Sequence, residues 1–234
     1  KKSKDSQFIS TPALTPNRHG YLWQVRVWDK SGKPSEWSQA QAIRIVGDEM
    51  DKSQWIGAIT RKDARLPEGR FSNAEFKKDY FVEKWSTVDT LSSKSIILRK
   101  EFSNGGKTIT DAVVYVSGMG HYEMLINGKK VGDSMFAPLC SEYSKTIYYN
   151  TYDVTSLLNK DGNAINVLLG NGFFNVQRGD RYSKLMTSFG APQMTMRMEI
   201  NYSDGTSKTI VSDGSWKYAL SPVTFNSIYG GESY

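Results

Sequence analysis

The stretch Met119-Gly-His-Tyr-Glu-Met-Leu-Ile-Asn-Gly-Lys-Lys-Val-Gly-Asp133 decides the fold class. An alternating run reaches Asn127-Gly128 and resumes at Lys129. Asn-Gly between two such runs signals a hairpin, because both residues tolerate the positive φ of a type I′ turn. Working outward, Ile96 to Phe102, Ala112 to Val116, Ile147 to Tyr152 and Ala164 to Leu169 read as strands. Asp153 can cap a helical turn by accepting from the N–H of Thr155 or Ser156, which brings Leu157 and Leu158 inward. Met194, Met196, Met198, Ile200 and Tyr202 take every second position, with Thr195, Arg197, Glu199 and Asn201 between them. This reads as a strand buried on one face, and its methionines as core. Asp204-Gly205 turns it into Ser207 to Val211, and Trp216, Tyr218 and Ile228 are expected to continue the sheet.

Upstream, Tyr21-Leu-Trp-Gln-Val-Arg-Val-Trp28 alternates, Asp29 to Gly32 turns, and Ala42, Ile43 and Ile45 form a further strand. Leu14, Pro16, Tyr21, Val25, Val27, Gly32 and Trp37-Ser38 resemble the last strands of a fibronectin type III module. In that resemblance Tyr21 takes the tyrosine-corner position and Trp37 stacks on Arg26. Trp23, Trp28 and Trp37 are expected in core and ladder packing. Only three or four strands precede Gly47, about half of what such a sandwich needs. Residues 1–47 are therefore expected to be the end of a domain that begins upstream. Residues 48–95 read as linker and insertion, with aromatic residues scattered through 61–95, and residues 96–234 as a second β domain. The fold class is all-β: a partial fibronectin type III-like sandwich followed by a β-sandwich that resembles a jelly-roll, galactose-binding-like domain.

Composition narrows the function. The net charge of the 234 residues is +6, but the charges are scattered, as where Lys77-Lys78 meets Asp79, so a groove tracking nucleic-acid phosphates is not expected. No apolar run approaches the length of a membrane span. The single cysteine, Cys140, beside Pro138 and Leu139, is expected to be packed and inert. The two histidines, His19 and His121, form no paired metal motif, and there is no nucleophile elbow or phosphate-binding glycine loop. Glu123, Glu142, Asp180 and Glu232 sit near loops or strand ends, their spacing does not show that any two converge as glycoside hydrolysis requires, and surface or structural roles are expected for each. Sugar binding has better material. Asn171, Phe173, Phe174, Asn175, Arg178, Arg181 and Tyr182 place aromatic faces, amides and guanidinium groups in one loop, and Tyr122 and Glu123 join them as candidate sugar contacts. The same residue types would also suit a loop packed on a neighbouring domain.

From residue 97 onward the collinear order of motifs resembles the N-terminal β-sandwich of bacterial α-L-rhamnosidases. The matching residues are Leu98-Arg-Lys-Glu-Phe102, Tyr115-Val-Ser-Gly-Met-Gly120, Ile126-Asn-Gly-Lys-Lys-Val-Gly-Asp133, Tyr149-Asn-Thr-Tyr-Asp-Val-Thr155, Asn163 to Phe173, and Ile228-Tyr-Gly-Gly-Glu-Ser-Tyr234. The resemblance implies an accessory region of a multidomain enzyme that removes terminal α-L-rhamnose from glycosides. Its catalytic acids would lie in a helical barrel C-terminal to this chain, leaving the chain alone inactive. It also implies rhamnose-containing glycans and that catalytic domain as partners, and a periplasmic or extracellular setting. No cofactor is read from the residues. Calcium enters only because a related domain in some members binds rhamnose with it, and no residue here is assigned to it. The competing readings are a stand-alone carbohydrate-binding module and a cell-surface interaction protein.

Overall fold

A computed structural model of the chain describes residues 14–15, 21–43, 50, 52–58, 91, 94–176 and 187–234. The polypeptide divides into two units, Lys1–Asp51 and Lys52–Tyr234. The expected insertion at 61–95 lies outside the described residues, apart from Leu91, Lys94 and Ser95.

In the first unit β1 (Tyr21–Trp23) pairs antiparallel with β2 (Gln41–Ile43), Leu22 opposite Ala42. The Tyr21 hydroxyl donates to the Thr15 carbonyl at 2.8 Å. This is the bond back to upstream backbone that a tyrosine corner makes. Beyond β1, serine side chains join the backbone pairing, in which the Ser38 and Ser35 N–H groups donate to the Val25 and Val27 carbonyls at 2.8 Å. Ser38 Oγ accepts from the Val25 N–H at 3.0 Å, and Ser35 Oγ from the Val27 N–H at 3.1 Å. The Arg26 guanidinium lies 4.6 Å from the Trp37 ring centroid and 4.9 Å from that of Trp28. The expected cation–π ladder is present, but the tryptophans belong to no core: Trp23, Trp28 and Trp37 are all exposed. The described strands of this unit leave their apolar faces open, Leu22 and Val27 among them.

The second unit is a sandwich of two antiparallel sheets. Its strands are β3 (Ile96–Ser103), β4 (Ile109–Met119), β5 (His121–Ile126), β6 (Lys129–Lys130), β7 (Tyr149–Asp153), β8 (Gly162–Gly170), β9 (Asn175–Val176), β10 (Thr187–Ser188), β11 (Gln193–Tyr202), β12 (Ser207–Val211), β13 (Lys217–Leu220), β14 (Phe225–Ser227) and β15 (Gly231–Ser233). One sheet has the order β12-β11-β4-β7 and the other β13-β3-β8-β5-β6, while β9–β10 is a separate two-stranded sheet and β14–β15 a separate hairpin. Inward side chains alternate along each strand, as a sheet with one face on the core demands. Ile96 and Leu98, Val114 and Val116, Met124 and Ile126, Val167 and Leu169, and Met194, Met196, Met198 and Ile200 form one buried cluster. Each such side chain contributes about 1.5–3 kcal/mol by leaving water. The Asn127-Gly128 turn has φ of 53° and 80°, the left-handed pair that its sequence predicts. The Asp153 carboxylate accepts from the Thr155 N–H at 2.9 Å and its hydroxyl at 2.7 Å, opening a 3-10 turn over Thr155–Leu157.

Three expectations are corrected. First, β11 is buried on both faces: Thr195 and Arg197 are each 6% exposed. Arg197 Nη2 meets Glu199 Oε1 at 2.6 Å on that outer face. Residues 53–56 run beside the start of β11 where β12 does not reach. Thr195 donates to Ser53 Oγ at 2.8 Å, and Ile56 and Met194 exchange backbone bonds of 2.9 Å. Second, the sheet does not continue through Trp216, Tyr218 and Ile228. The segment after β12 crosses over, so that β13 pairs with β3 in the opposite sheet, and Ile228 sits in the turn of the β14–β15 hairpin. Third, Cys140 is exposed rather than packed, because its loop keeps no strand alternation: Pro138 is buried while Leu139 and Cys140 both face out.

Candidate functional site

The strands of the second unit end at two opposite rims. At one rim β4 ends, β5 begins, β8 ends and β11 begins, and the candidate sugar-binding residues gather there. Close backbone approach shapes this rim. A Cβ at Gly120 (φ 118°) would strike the Gly170 carbonyl oxygen. One at Gly172 (φ 53°) would come within 2.8 Å of the His121 backbone nitrogen. Both positions require glycine.

Tyr122 faces the core. Its N–H donates to the Ala137 carbonyl at 2.8 Å and its hydroxyl to Asn150 Oδ1 at 3.1 Å. Burial, with Tyr152 nearby, pushes its phenol well above the ordinary range. Glu123, one residue on, points to the opposite face. There it pairs with Lys130 at 2.7 Å, both side chains largely solvated. Tyr122 and Glu123 therefore do not share a site.

The turn after β8 does bring Asn171, Phe173, Phe174 and Asn175 together, with the polar groups inside. Asn171 is fully buried. Its N–H donates to Asn226 Oδ1 at 2.7 Å, its Nδ2 donates to the Asn226 carbonyl at 3.0 Å, and its Oδ1 accepts from Asn175 Nδ2 at 2.9 Å. Asn226 Nδ2 donates in turn to Ser95 Oγ at 2.6 Å. This network fastens the β14–β15 hairpin to the ends of β8 and β3. Its amides serve the fold, since buried polar groups need partners. Phe174 is buried, its ring edge-on to Tyr143 at 5.1 Å and tilted against Phe189 at 5.9 Å. Phe173 is half-buried between His121 at 5.9 Å and Tyr229 at 6.3 Å. Phe136 closes the row at 5.5 Å from His121. Desolvation lowers the His121 pKa below its ordinary value, favouring the neutral imidazole. Arg178, Arg181 and Tyr182 lie outside the described residues.

Sequence reasoning missed Phe136, Tyr143, Phe189, Tyr229 and Asn226. The apolar residues Met135, Phe136 and Leu139 inside a stretch of turn composition were the available signal for the first of these. Asn226 gives none. Among the described residues no three His, Cys, Asp or Glu side chains come together as a metal would need. Calcium takes six or more oxygens, carboxylates prominent among them. In the Asn171–Asn175 turn the side-chain amides are joined to one another.

Residues 107–234 match the family described as the alpha-L-rhamnosidase N-terminal domain. The chain belongs to that family. Residues 1–46 match the Rha78A-like N-terminal immunoglobulin domain. An alpha-L-rhamnosidase of Formosa agariphila is 37% identical to this chain over 220 residues, 92% of the chain and 22% of its own length. One of an Alteromonas species is 29% identical over 98% of the chain and 24% of its own length. The solved rhamnosidase of Aspergillus terreus superposes with a TM-score of 0.70 at 27% identity, over the whole chain and 25% of its own. That of Streptomyces avermitilis, complexed with L-rhamnose, gives 0.72 at 19% identity over 97% of the chain and 36% of its own, a likeness of fold. The chain spans about a fifth of the length of the curated relatives it matches.

Proposed function

We propose that this chain is the accessory β region of a multidomain α-L-rhamnosidase that releases terminal α-L-rhamnose from glycosides, with catalysis in polypeptide outside it. The observation that carries the reading is the family match over 107–234, in a chain that aligns with about a fifth of enzymes named alpha-L-rhamnosidase. The chemistry of the described residues agrees with it. Inverting or retaining hydrolysis needs two carboxyl groups facing one bond about 5–9 Å apart. Four of the described carboxylates are engaged locally: Glu123 pairs with Lys130, Glu142 with Lys145, Asp204 with Lys107, and Glu232 accepts from the Tyr234 hydroxyl, while Asp180 lies outside the described residues. The catalytic helical barrel and rhamnose-bearing glycans are the partners this reading names.

The test is hydrolysis of a chromogenic α-L-rhamnoside by the full-length polypeptide and by the 234-residue chain. The expected result is rhamnose release by the first and none by the second. Turnover by the short chain, or a full-length protein that cleaves another sugar and not rhamnose, overturns it.

A further inference from the structure

The two rims of the sandwich differ in what covers their aromatic rings. At the rim where β3 and β5 end and β8 begins, Lys208 Nζ lies 5.7 Å from the Phe102 centroid and Lys107 Nζ 5.3 Å from that of Tyr202. Lys107 also pairs with Asp204 at 3.0 Å. No large apolar side chain described at this rim is exposed. At the other rim Phe136, His121, Phe173 and Tyr229 lean on one another, and among the described residues no cation lies over these rings. Around them Met135 is 81% exposed, Leu139 73% and Phe136 60%. Tyr149, Phe189 and Tyr229 extend the surface. Exposed apolar area concentrated in one patch marks a place where something binds.

The chemistry of the patch selects the occupant. A sugar asks for a flat ring face with hydrogen-bonding groups beside it. Here Phe173 meets His121 and Tyr229 edge to face, Phe136 is tilted against His121, the amides of Asn171 and Asn226 are buried and bonded within the fold, and Asn175 Nδ2 is turned inward onto Asn171. Burial disfavours the charged form of the imidazole at the centre of the row. An uncharged aromatic centre depleted of ionised groups is the composition of the core of a protein–protein interface. The patch is also pre-organised, since Asn226 fixes the hairpin that carries Tyr229 and glycine at 120 and 172 fixes the turns. That lowers the ordering cost of association. The β14–β15 hairpin is itself part of the patch, so polypeptide continuing past Tyr234 in a longer form leaves the sandwich at this rim. In the relatives about four-fifths of the length lies outside the matched span.

We infer that the rim formed by Phe136, Leu139, Phe173, Phe189 and Tyr229 is the face on which the remaining polypeptide of the enzyme seats, through an apolar surface of its own. This deepens the reading above and rests on it. Hydrogen exchange on the full-length protein tests it against an internal control. Segments 134–140, 172–175 and 227–231 are expected to exchange at least about tenfold more slowly than in the 234-residue chain. Segments 104–108 and 203–206, at the lysine-capped rim, should not change. Equal exchange of the two rims overturns the inference, as does a native protein no larger than 26.4 kDa.

The double variant Phe136→Asp, Leu139→Asp gives a second readout. Both side chains are exposed, so the short chain should melt as before, while the full-length protein should lose the protection at 227–231. Retained protection sinks the proposal. So does saturable rhamnose binding, or concentration-dependent dimerisation, of the short chain that the double variant abolishes. Rhamnoside hydrolysis is scored separately: an inactive protein with a protected rim refutes the enzymatic reading and leaves the seating intact.

Discussion

Lysines lie over the rings at one rim of the sandwich, where Lys107 covers Tyr202 and Lys208 covers Phe102; at the other, Phe136, His121, Phe173 and Tyr229 cover one another. Both rims are built from the same strands, and both need something over the aromatic edge of the core. A lysine does this with its apolar stem while its ammonium stays in water, and the surface is complete. Rings stacked on rings leave their outermost members facing solvent. The difference teaches that exposed aromatic area here follows from how a rim is finished, and not from a shortage of core.

The sharpest way to break the comparison is at glycine. Gly120 and Gly205 both hold positive φ, but a Cβ at Gly120 meets backbone oxygen while one at Gly205 meets nothing within 4 Å. Gly120→Ala should cost about 4 kcal/mol and Gly205→Ala about 1 kcal/mol, measured by urea unfolding. Similar losses at the two sites would show that the apolar rim is no more rigid than the other.

A smaller contrast lies in the asparagines that tie each rim. Asn226→Ala leaves the Asn171 N–H and Ser95 Oγ without their partner, and about 3 kcal/mol should be lost. Asn127 accepts from the Ala164 N–H at 2.9 Å and donates to the Leu157 carbonyl at 2.9 Å and Asn163 Oδ1 at 2.8 Å, in a half-exposed site. Asn127→Ala should cost about 2 kcal/mol, since water reaches part of what is left. The same unfolding curves decide both.

The smallest effects separate the rims by pH. The folded pKa of His121 lies below its ordinary 6.5, so the unfolded chain takes up the proton first. Stability is therefore full above about pH 6.5 and falls as pH drops toward the folded value. His121→Phe should flatten that limb of the Tm–pH curve. Hydrogen bonds from Thr206, above all, lower the Asp204 pKa from 3.8 to about 2. Its contribution holds above pH 3.8 and is lost as pH falls toward 2, a limb that Asp204→Ala should remove. Unchanged curves for both variants would break the assignment of each limb to its rim.

Much of the architecture was legible because local chemistry settled it. Asn127-Gly128 and Asp204-Gly205 each fix a turn within two residues, and Tyr21 finds the Thr15 carbonyl within six. Alternation found most strand cores. It failed at Arg197 and Glu199, where polar identity reads as solvent but the partners are each other and further parts of the chain. It failed again after β12, because which sheet a strand joins depends on pairing with β3, more than a hundred residues earlier. The candidate site was half legible. Asn171 to Asn175 do form one turn, but amides look the same in a sequence whether they face a ligand or, as here, Asn226. That partner is 55 residues away and carries no local mark.

The two-sided burial of β11 has a further consequence, for error. Because side chains alternate, a one-residue slip turns every side chain of a strand to the opposite face, and where one face is solvent only the core layer is spoiled. Slippage of β11 would drive Arg197 and Glu199 into the methionine layer and press Met196 and Met198 into the ion-pair layer. Both faces would be wrong at once, and an unpaired buried charge is among the costliest faults a fold can carry. The Arg197–Glu199 pair thus acts as a register mark: it adds little to the stability of the correct ladder and penalises every ladder shifted by one.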